Sequence, residues 1–401
     1  MNRPRSLLIL PVAPALGGNG LAMRMGVFAE ALARISEAHV LVIPIAGKLP
    51  VAAPMPDGIT LHTIAAGGGQ LESKYALLSQ VADSGQRLAA FADWGRPSQS
   101  AGLSRPVLSA VAGLVRDLSP DLVHVGRVGL APCIGMVPGG VPITLDLDED
   151  DRAAFALMRA KNVNRAAWLR QEGLACDRLI AVHGPRASRV YAASAAEKAS
   201  LAGRHPGLTF AVARNAAPAV NVPRVACSHG RAVFIGSLSY APNAEGLIWF
   251  LRHVMPDLAA TGFQLDIAGA GAPPDLQALA RRSGAILRGW VPNAAAFYRG
   301  AALAILPLHS GGGTRIKLLE AMATETPFVA TRRAAAGLGL PPHSGWFADH
   351  PHMFANSIRA ILSNPIEAQR RATLARRHVQ RLHNRNAVID ALARDLHSVF
   401  L

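Results

Sequence analysis

A glycine-rich segment followed by charged residues is the part of this sequence best suited to bind a phosphate. It consists of Gly311-Gly312-Gly313-Thr314-Arg315-Ile316-Lys317-Leu318-Leu319-Glu320. Consecutive glycines let the backbone approach a ligand closely, and a helix that starts after them offers unpaired N–H groups and the positive end of its dipole. Two cations in the first turn, Arg315 and Lys317, oppose that dipole by roughly 0.3–1 kcal/mol each unless an anion is bound. The pattern therefore predicts an anion site.

The carboxylate that follows suggests what the anion is attached to. Ile316, Leu319 and Ala323 fall on one face of the predicted helix and are expected to pack on a sheet, whereas Lys317 and Glu320 share another face. Glu320 can accept hydrogen bonds from two neighbouring hydroxyls, as a ribose presents them. The alternative is a surface Lys–Glu pair worth only about 0.3 kcal/mol. We favour a nucleotide site, because the glycine loop, the two cations and the carboxylate occur together in one segment.

The elements that must position this segment follow an alternating strand and helix pattern along the whole chain. Such alternation predicts parallel, doubly wound sheets. In the first half we predict strands at 6–12, 39–45, 59–64, 121–125, 141–147 and 178–182, with helices at 21–35, 104–118 and 150–176, and loops and short helices over 65–103. In the second half we predict strands at 232–239, 264–268, 286–291, 303–308 and 328–331, with helices at 244–258, 274–283, 294–299 and 314–324 and a helical tail from about 349.

The pattern breaks once, in a polar stretch that contains Pro218 and Pro223. Two prolines among small and polar residues are typical of a linker. We therefore predict an N-terminal domain at 1–215, a linker at 216–230, a C-terminal domain at 231–380, and a last helix at 381–401 that packs back toward the N-terminal domain. A chain of 401 residues is long enough for two such cores.

Composition and charge narrow the classes of protein. Half of the residues are hydrophobic and 17% are charged, which is typical of a globular chain, and the net charge of +15 favours anionic partners. Five arginines crowd one predicted C-terminal helix: Arg370, Arg371, Arg376, Arg377 and Arg381. We interpret them first as a solvated helix face and second as a contact with an anionic membrane. No nucleic-acid signature surrounds them, so nucleic acid is not a predicted partner.

The cysteines and the apolar runs indicate the cellular compartment in which the protein is expected. Cys133, Cys176 and Cys227 are odd in number and far apart, which predicts neither a disulfide framework nor a metal motif and favours a reducing cytoplasm. The apolar start resembles a signal peptide, but its run is short and is interrupted by Pro11, so we interpret it as the first buried strand. No other run approaches the length of roughly 20 apolar residues that spans a bilayer.

The segment from Gly311 to Ala323, continued as far as Thr331, resembles the donor-site motif of family-four glycosyltransferases. It is most similar to the sugar transferases associated with exopolysaccharide gene clusters. The resemblance extends upstream to residues 233–243 and 289–293, and so covers nearly the whole second half. In the first half it rests only on residues 17–26 and on 146–151.

The resemblance implies an α/β protein with the GT-B fold, in which two Rossmann-like doubly wound domains face a central cleft. It implies transfer of a sugar from a nucleotide diphosphate sugar to an acceptor hydroxyl, with retention at the anomeric carbon and without cofactor or metal. The expected partners are the nucleotide sugar and a polyprenyl-linked glycan acceptor. A cytoplasmic enzyme, peripheral at the membrane, would fit these partners.

Donor-site roles follow from the same resemblance. Glu320 is expected to bind the ribose, and Arg315 and Lys317 to lie at the diphosphate and assist catalysis. The other expected donor residues are Gly236, Ser237, Trp290, Val291, Gly311, Gly312, Gly313 and Thr314, with Trp290 and Val291 beside the base. One departure matters, because Gly312 stands where relatives carry a carboxylate that holds the transferred sugar. Backbone amides of residues 312–314 would have to replace it.

Candidates in the first half have weaker signals. Gly18, Asn19 and Gly20 join the first strand to the first helix and are expected, with Arg24, Asp146 and Asp148, to border the cleft on the acceptor side. The glycines lack the full dinucleotide fingerprint, which argues against NAD. An ordinary surface arginine remains the alternative for Arg24, and helix capping is the alternative for the acidic residues 148–151. His124, at the end of a buried strand, is either a catalytic group or a satisfied core histidine.

Two other functions remain open from the sequence. A sugar-nucleotide epimerase of the same fold would bind a similar donor without needing an acceptor. A sugar- or lipid-carrier-binding protein without activity is the other alternative, and the missing carboxylate at Gly312 makes it credible.

Overall fold

The computed structural model describes residues 3–44, 54–64, 71–158, 163–218, 220, 230–312 and 316–400. The chain divides into two compact units, and each is described by itself. Unit 1 comprises residues 1–17, 21–214 and 388–401, and unit 2 comprises residues 18–20 and 215–387.

Unit 1 is built on seven parallel strands. They are β1 (Arg5–Leu10), β2 (Glu37–Val42), β3 (Ile59–His62), β4 (Leu122–Gly126), β5 (Ile143–Asp148), β6 (Arg189–Ala192) and β7 (Phe210–Val212). Its helices are α1 (Gly20–Ile35), α2 (Ser73–Leu78), α3 (Ser84–Trp94), α4 (Arg105–Leu118), α5 (Asp151–Ala156), α6 (Val163–His183) and α7 (Ala195–Arg204), with 3₁₀ turns at Ser98–Ser100, Val128–Met136 and Gly184–Arg186.

The sheet of unit 1 has the strand order β3-β2-β1-β4-β5-β6-β7. Leu7, Leu8, Ile9 and Leu10 are consecutive and all fully buried, because helices cover both faces of a parallel sheet. The order reverses direction beside β1, so the loops that follow β1 and β4 diverge at the carboxyl edge. That is the place where open α/β sheets bind ligands.

Unit 2 repeats this plan with six parallel strands. They are β8 (Arg231–Ile235), β9 (Gln264–Ala268), β10 (Ile286–Gly289), β11 (Leu303–Leu306), β12 (Phe328–Ala330) and β13 (Trp346–Phe347). Its helices are α8 (Ala241–His253), α9 (Pro274–Ser283), α10 (Ala294–Arg299), α11 (Ile316–Ala323), α12 (Arg332–Ala335), α13 (Pro351–Ser363) and α14 (Pro365–Leu382), with a 3₁₀ segment at Met255–Thr261.

The sheet of unit 2 has the order β10-β9-β8-β11-β12-β13, and its reversal point lies between β8 and β11. Its core is formed by buried side chains of both strands and helices, among them Phe234, Phe250 and Leu306. Gly246 allows close packing of α8, since a Cβ there would come within 2.4 Å of the Pro307 carbonyl oxygen. The loops after β8 and β11 are thereby held near each other at the reversal point.

The last helix, α15 (Arg385–Phe400), belongs to unit 1 from Val388 onward. Asp395 binds two side chains of β6: Arg189 Nη1 lies 2.6 Å from Oδ1, and the Tyr191 hydroxyl donates to Oδ2 at 2.6 Å. Val388, Leu392 and Leu396 have buried side chains. The two polar contacts of Asp395 therefore tie α15 to β6.

Several predicted elements need correction. No strand forms at 178–182, because helix α6 continues to His183 and the strand lies at β6. The helix predicted at 150–176 is two helices, α5 and α6, and the helical tail is three, α13 to α15. The predicted start of the helix at 314 lies outside the described residues.

The arginine-rich stretch is α14, and some of its charge is neutralised locally. Arg370 and Arg371 both bind Glu367, at 2.6 and 2.7 Å, and Arg376 binds Glu325 at 2.8 Å. Among the described residues, no helix combines the length and apolar character needed to cross a bilayer.

Candidate functional site

Helix α11, which follows β11, carries the carboxylate and the lysine of the predicted site. Glu320 is only 7% exposed, and burial raises the pKa of its carboxyl from 4.5 to about 7, although Lys317 lowers that pKa in part. Leu318, Leu319, Ala321 and Met322 are buried as well. The helix is thus enclosed on more faces than the sequence pattern predicts, and Glu320 is a buried acid.

Tyr298 of α10 hydrogen-bonds to the backbone of α11. Its hydroxyl donates to the Lys317 carbonyl oxygen at 3.0 Å, and its ring is 2% exposed. Burial raises the pKa of Tyr298, and the nearby Glu320 carboxylate raises it further. Tyr298 therefore remains a neutral donor that fixes the backbone of α11 beside Glu320.

The lysine side chain extends across the end of β8. Lys317 Nζ lies 5.9 Å from the centroid of the Phe234 ring, and a Cβ on Gly236 would come within 3.1 Å of Lys317 Cε and 2.8 Å of Asn243 Nδ2. Asn243 Nδ2 in turn donates to the Ser237 carbonyl oxygen at 2.7 Å. The structure thus brings together Lys317, Gly236 and Ser237, three of the predicted donor residues, at the reversal point of the sheet.

Two glycines after β9 allow the neighbouring loop to approach. Gly269 has φ +149° and Gly271 has φ +78°, and a Cβ on Gly269 would lie 1.9 Å from the Gly236 carbonyl oxygen. The Leu238 N–H donates to the Ala270 carbonyl oxygen at 2.9 Å. These two glycines are not among the residues predicted from the sequence, although their position directly after a strand is a usable signal.

The end of β10 completes this edge. The Gly269 N–H donates to the Gly289 carbonyl oxygen at 2.7 Å. The predicted base-binding residues, Trp290 and Val291, directly follow Gly289 and therefore begin beside the loop after β9. Trp290 is 72% exposed, whereas Val291 is half-buried. An exposed indole beside the loops of β8 and β9 offers a flat apolar surface to a ligand.

The glycine segment is described as far as Gly312. Gly311 has φ +88°, and its carbonyl oxygen accepts two hydrogen bonds from Arg333, at 3.0 Å from Nε and 2.6 Å from Nη2. Gly311 and Gly312 are buried. Gly313, Thr314 and Arg315 lie outside the described residues, so their predicted roles stay predictions.

In unit 1, Arg24 is not the surface arginine of the alternative interpretation. It is 2% exposed and binds Asp146 through both Nε and Nη2, at 2.7 and 2.6 Å, while Nη1 donates to the Ala213 carbonyl oxygen at 2.9 Å. Asp146 is itself fully buried. This pair fixes α1 against the carboxyl end of β5.

Arg127 holds the neighbouring acidic residues and was missed by our sequence analysis. Its guanidinium lies 3.1 Å from Glu149 and 3.0 Å from Asp151, and 3.5 Å from Asp148, which has φ +64°. Burial raises the pKa of Asp151, while Arg127 opposes the rise. The capping alternative holds for Asp150, which accepts from the Ala153 N–H at 3.1 Å.

His124 lies in the core of unit 1. It is fully buried, its ring stacks on Phe28 at 4.3 Å between centroids, and its Nδ1 is 2.9 Å from Thr144 Oγ1. Burial lowers the pKa of His124 to about 3, and Arg24 adds to this effect. These contacts favour the core histidine over the catalytic group.

The loop after β1 contains the remaining candidates. Gly18 has φ +96°, a conformation that glycine adopts readily, Asn19 is exposed and α1 begins at Gly20. The Ala15 N–H donates to the Ala22 carbonyl oxygen at 2.9 Å, and Gly26 provides the space for this close approach. No cluster of three or more His, Cys, Asp or Glu side chains suited to a metal occurs among the described residues.

Comparison with known proteins defines the class of fold. Residues 229–364 match the family model described as "Glycosyl transferases group 1", so unit 2 carries a glycosyl transferases group 1 domain. The two Rossmann-like doubly wound units, each with a parallel sheet, share the fold of solved GT-B glycosyltransferases. The family match supports sugar transfer. The sequence matches no curated protein significantly.

Individual solved structures share the fold over nearly the whole chain. Sucrose-phosphate synthase from Thermosynechococcus elongatus is 14% identical, with 99% of both chains covered and a TM-score of 0.71. HepE from Anabaena, in complex with UDP and glucose, is 13% identical, with 98% of this chain and 99% of that chain covered and a TM-score of 0.63. A UDP-forming α,α-trehalose-phosphate synthase from Burkholderia vietnamiensis is 16% identical, with coverages of 99% and 97% and a TM-score of 0.61.

Proposed function

We propose that this protein is a glycosyltransferase that moves a sugar from a nucleotide diphosphate sugar to an acceptor hydroxyl. The observation that carries the proposal is the convergence of Glu320, Lys317 and the Gly236–Ser237 turn at the reversal point of the unit 2 sheet. A carboxyl group suits a ribose diol, and an ammonium group beside a glycine turn suits a diphosphate. These groups lie within the segment that matches the glycosyl transferases group 1 model.

The barrier to sugar transfer falls most when charge on the departing diphosphate is neutralised in place. In our proposal Lys317, together with Arg315 from the sequence, supplies that charge, and Glu320 holds the ribose. Trp290 and Val291 border the base. HepE from Anabaena, which shares the fold, has a structure in complex with UDP and glucose, which is compatible with a nucleotide sugar as donor.

The acceptor side of the proposal rests on the loop after β1 and on residues of unit 1. We propose that Gly18, Asn19 and Gly20 of that loop, with the buried Arg24–Asp146 pair and Asp148 of unit 1, shape the acceptor site. We further propose retention at the anomeric carbon, a polyprenyl-linked acceptor in exopolysaccharide assembly, and a cytoplasmic enzyme at the membrane surface. The anomeric configuration of the product, followed by NMR, tests retention. Vesicle binding that weakens with salt and requires anionic lipid tests the membrane contact.

The decisive experiment screens UDP-glucose, UDP-N-acetylglucosamine, GDP-mannose and dTDP-glucose for binding by calorimetry and then for turnover. We expect one donor to bind and to release nucleoside diphosphate only when an acceptor is added. Isomerised sugar without acceptor would establish the epimerase instead, and binding without turnover over an acceptor panel would establish the inactive binding protein. Unchanged affinity after Glu320→Ala would refute the donor-site assignment.

A further inference from the structure

Arg333, which follows the next strand β12, hydrogen-bonds to the backbone of the glycine segment. It belongs to α12, 22 residues after Gly311, and directs both Nε and Nη2 to the single carbonyl oxygen of Gly311, at 3.0 and 2.6 Å. Hydrogen bonds from a charged donor are stronger than neutral ones. This contact therefore determines the orientation of one particular peptide in the loop after β11.

The turn before α12 holds the same loop at a second point. The Thr331 hydroxyl donates to the Leu308 carbonyl oxygen, and the Thr331 N–H donates to the Leu306 carbonyl oxygen at 3.1 Å. Thr331 is fully buried. The end of β12 and the start of α12 therefore fix the backbone of residues 306–311 by hydrogen bonds at Leu306, Leu308 and Gly311.

The planarity of the peptide bond gives this contact a consequence on the other side of the loop. In a trans peptide the C=O and the following N–H point in opposite directions, and no cis peptide occurs among the described residues. Because the Gly311 carbonyl points toward Arg333, the Gly312 N–H points away from it. The cation at the carbonyl also polarises the peptide and makes its N–H a better donor.

We propose that Arg333 is a positioning residue of the donor site, which orients the Gly311–Gly312 peptide so that the Gly312 N–H faces the diphosphate sugar. This inference rests on the proposed function and names one more residue of that same site. The glycine segment has no carboxylate at Gly312, so an oriented backbone amide takes on greater importance for holding the donor. Arg333 acts through the loop and not by touching the donor.

The chain offers a matched control in the adjacent residue. Arg332 lies on the same short helix, is 75% exposed in its side chain and binds Asp349 at 2.8 Å, away from the glycine segment. Arg333→Met and Arg332→Met each remove one charge from α12. Only the first removes the contact with Gly311.

The test measures binding of UDP-glucose, or of whichever panel sugar nucleotide the wild type binds best, and of the corresponding nucleoside monophosphate. We expect Arg333→Met to weaken the sugar nucleotide about 10-fold or more but the monophosphate less than about 2-fold, since loss of a charged hydrogen bond has effects of this size. Arg332→Met should leave both unchanged. Arg333→Lys keeps the charge without the two-point contact and should give an intermediate loss.

Hydrogen exchange in the ligand-free protein reports on the loop itself. Peptides covering residues 306–318 should exchange faster in Arg333→Met than in Arg332→Met. Melting temperatures identify a variant that fails to fold, and Arg333→Lys then takes its place in both assays. Equal losses for sugar nucleotide and monophosphate, or equal effects of the two Met variants, would overturn the role of Arg333 alone. A wild type that binds no nucleotide of the panel would overturn the proposed function and this inference with it.

Discussion

Replacing Glu320 with glutamine tests the buried acid at the centre of the donor site. Burial raises the pKa of Glu320 from 4.5 to about 7, against a smaller opposing effect of Lys317. Between these two pH values the unfolded chain releases its proton while the folded protein retains it. The contribution of Glu320 to stability is therefore fully present below pH 4.5 and falls as the pH rises, and it is lost once the pH exceeds the folded pKa of about 7.

The size of the effect follows from the shift. Each pKa unit corresponds to about 1.36 kcal/mol, so a shift from 4.5 to about 7 corresponds to a full loss of about 3 kcal/mol. About 1 kcal/mol of this stability is already lost at pH 5, and nearly all of it is lost at pH 8. Glutamine has no proton to lose. The free energy of unfolding of Glu320→Gln should therefore rise relative to that of the wild type by about 2 kcal/mol between pH 5 and pH 8.

Urea unfolding at pH 5, 6, 7 and 8 measures this difference, and Glu325→Gln is the matched control. Glu325 lies two residues after the end of the same helix. Burial alone would raise its pKa, but hydrogen bonds from Thr373 and Arg376 outweigh burial and lower the pKa. Its stabilising contribution is present above pH 4.5 and is lost below that value. The difference between Glu325→Gln and wild type should therefore stay constant from pH 5 to pH 8.

Donor binding should show the opposite trend with pH in the wild type. Ribose hydroxyls donate to the carboxylate and favour its charged form, so affinity should rise through pH 7. In Glu320→Gln the affinity should be lower at pH 8 and nearly independent of pH. A stability difference that stays flat from pH 5 to 8 would refute the buried acid, and unchanged donor affinity at pH 8 would refute ribose binding.

Three further changes test the surrounding structure. Gly236→Ala places a methyl group against Lys317 Cε and Asn243 Nδ2, so we expect at least about 10-fold weaker donor binding with a melting temperature within a few degrees of wild type, measured by calorimetry and thermal unfolding. Lys317→Met should weaken nucleoside diphosphate binding and reduce its dependence on salt, whereas Lys317→Arg should restore part of both. Asp395→Ala leaves Arg189 and Tyr191 without their partner and should cost about 2–4 kcal/mol in urea unfolding.

The donor segment could be anticipated because its signals are local. A strand, glycines and a helix follow each other within about twenty residues, and Lys317 and Glu320 are spaced so that one helical turn brings them together. Gly236 was selected by resemblance, and the structure supplies the physical reason: the Lys317 and Asn243 side chains occupy the space of a Cβ. Local pattern was therefore sufficient to select Lys317 and Glu320 as candidates.

The predicted strand at 178–182 shows where such a pattern fails. Leu179 and Ile180 belong to a short apolar run, as in a strand. In the structure they are buried residues of α6. A short apolar run does not distinguish the two structures, because both bury consecutive residues. The structure shows that α6 is 21 residues long, a length that depends on tertiary packing and not on the local pattern.

Contacts across long sequence separations could not be anticipated at all. Arg24 and Asp146 are 122 residues apart and form a buried pair, and Arg333 reaches Gly311 across a whole strand. Arg24 lies on a predicted helix and Arg333 lies between predicted elements, and neither position indicates its partner when considered alone. Only the sheet order, which brings α1 to β5 and α12 to β11, makes them partners.

The structure also changes the meaning of the net charge of +15. Among the described residues of unit 1, the buried Arg24 and Arg127 are held by carboxylates and so do not attract an external anion. On α14 the carboxylates of Glu367 and Glu325 bind part of the arginine cluster. Lys317 instead packs its Cε against Gly236, beside an acid whose pKa burial raises to about 7. Anion binding is therefore best sought at this edge of unit 2, where several of the predicted donor residues lie together.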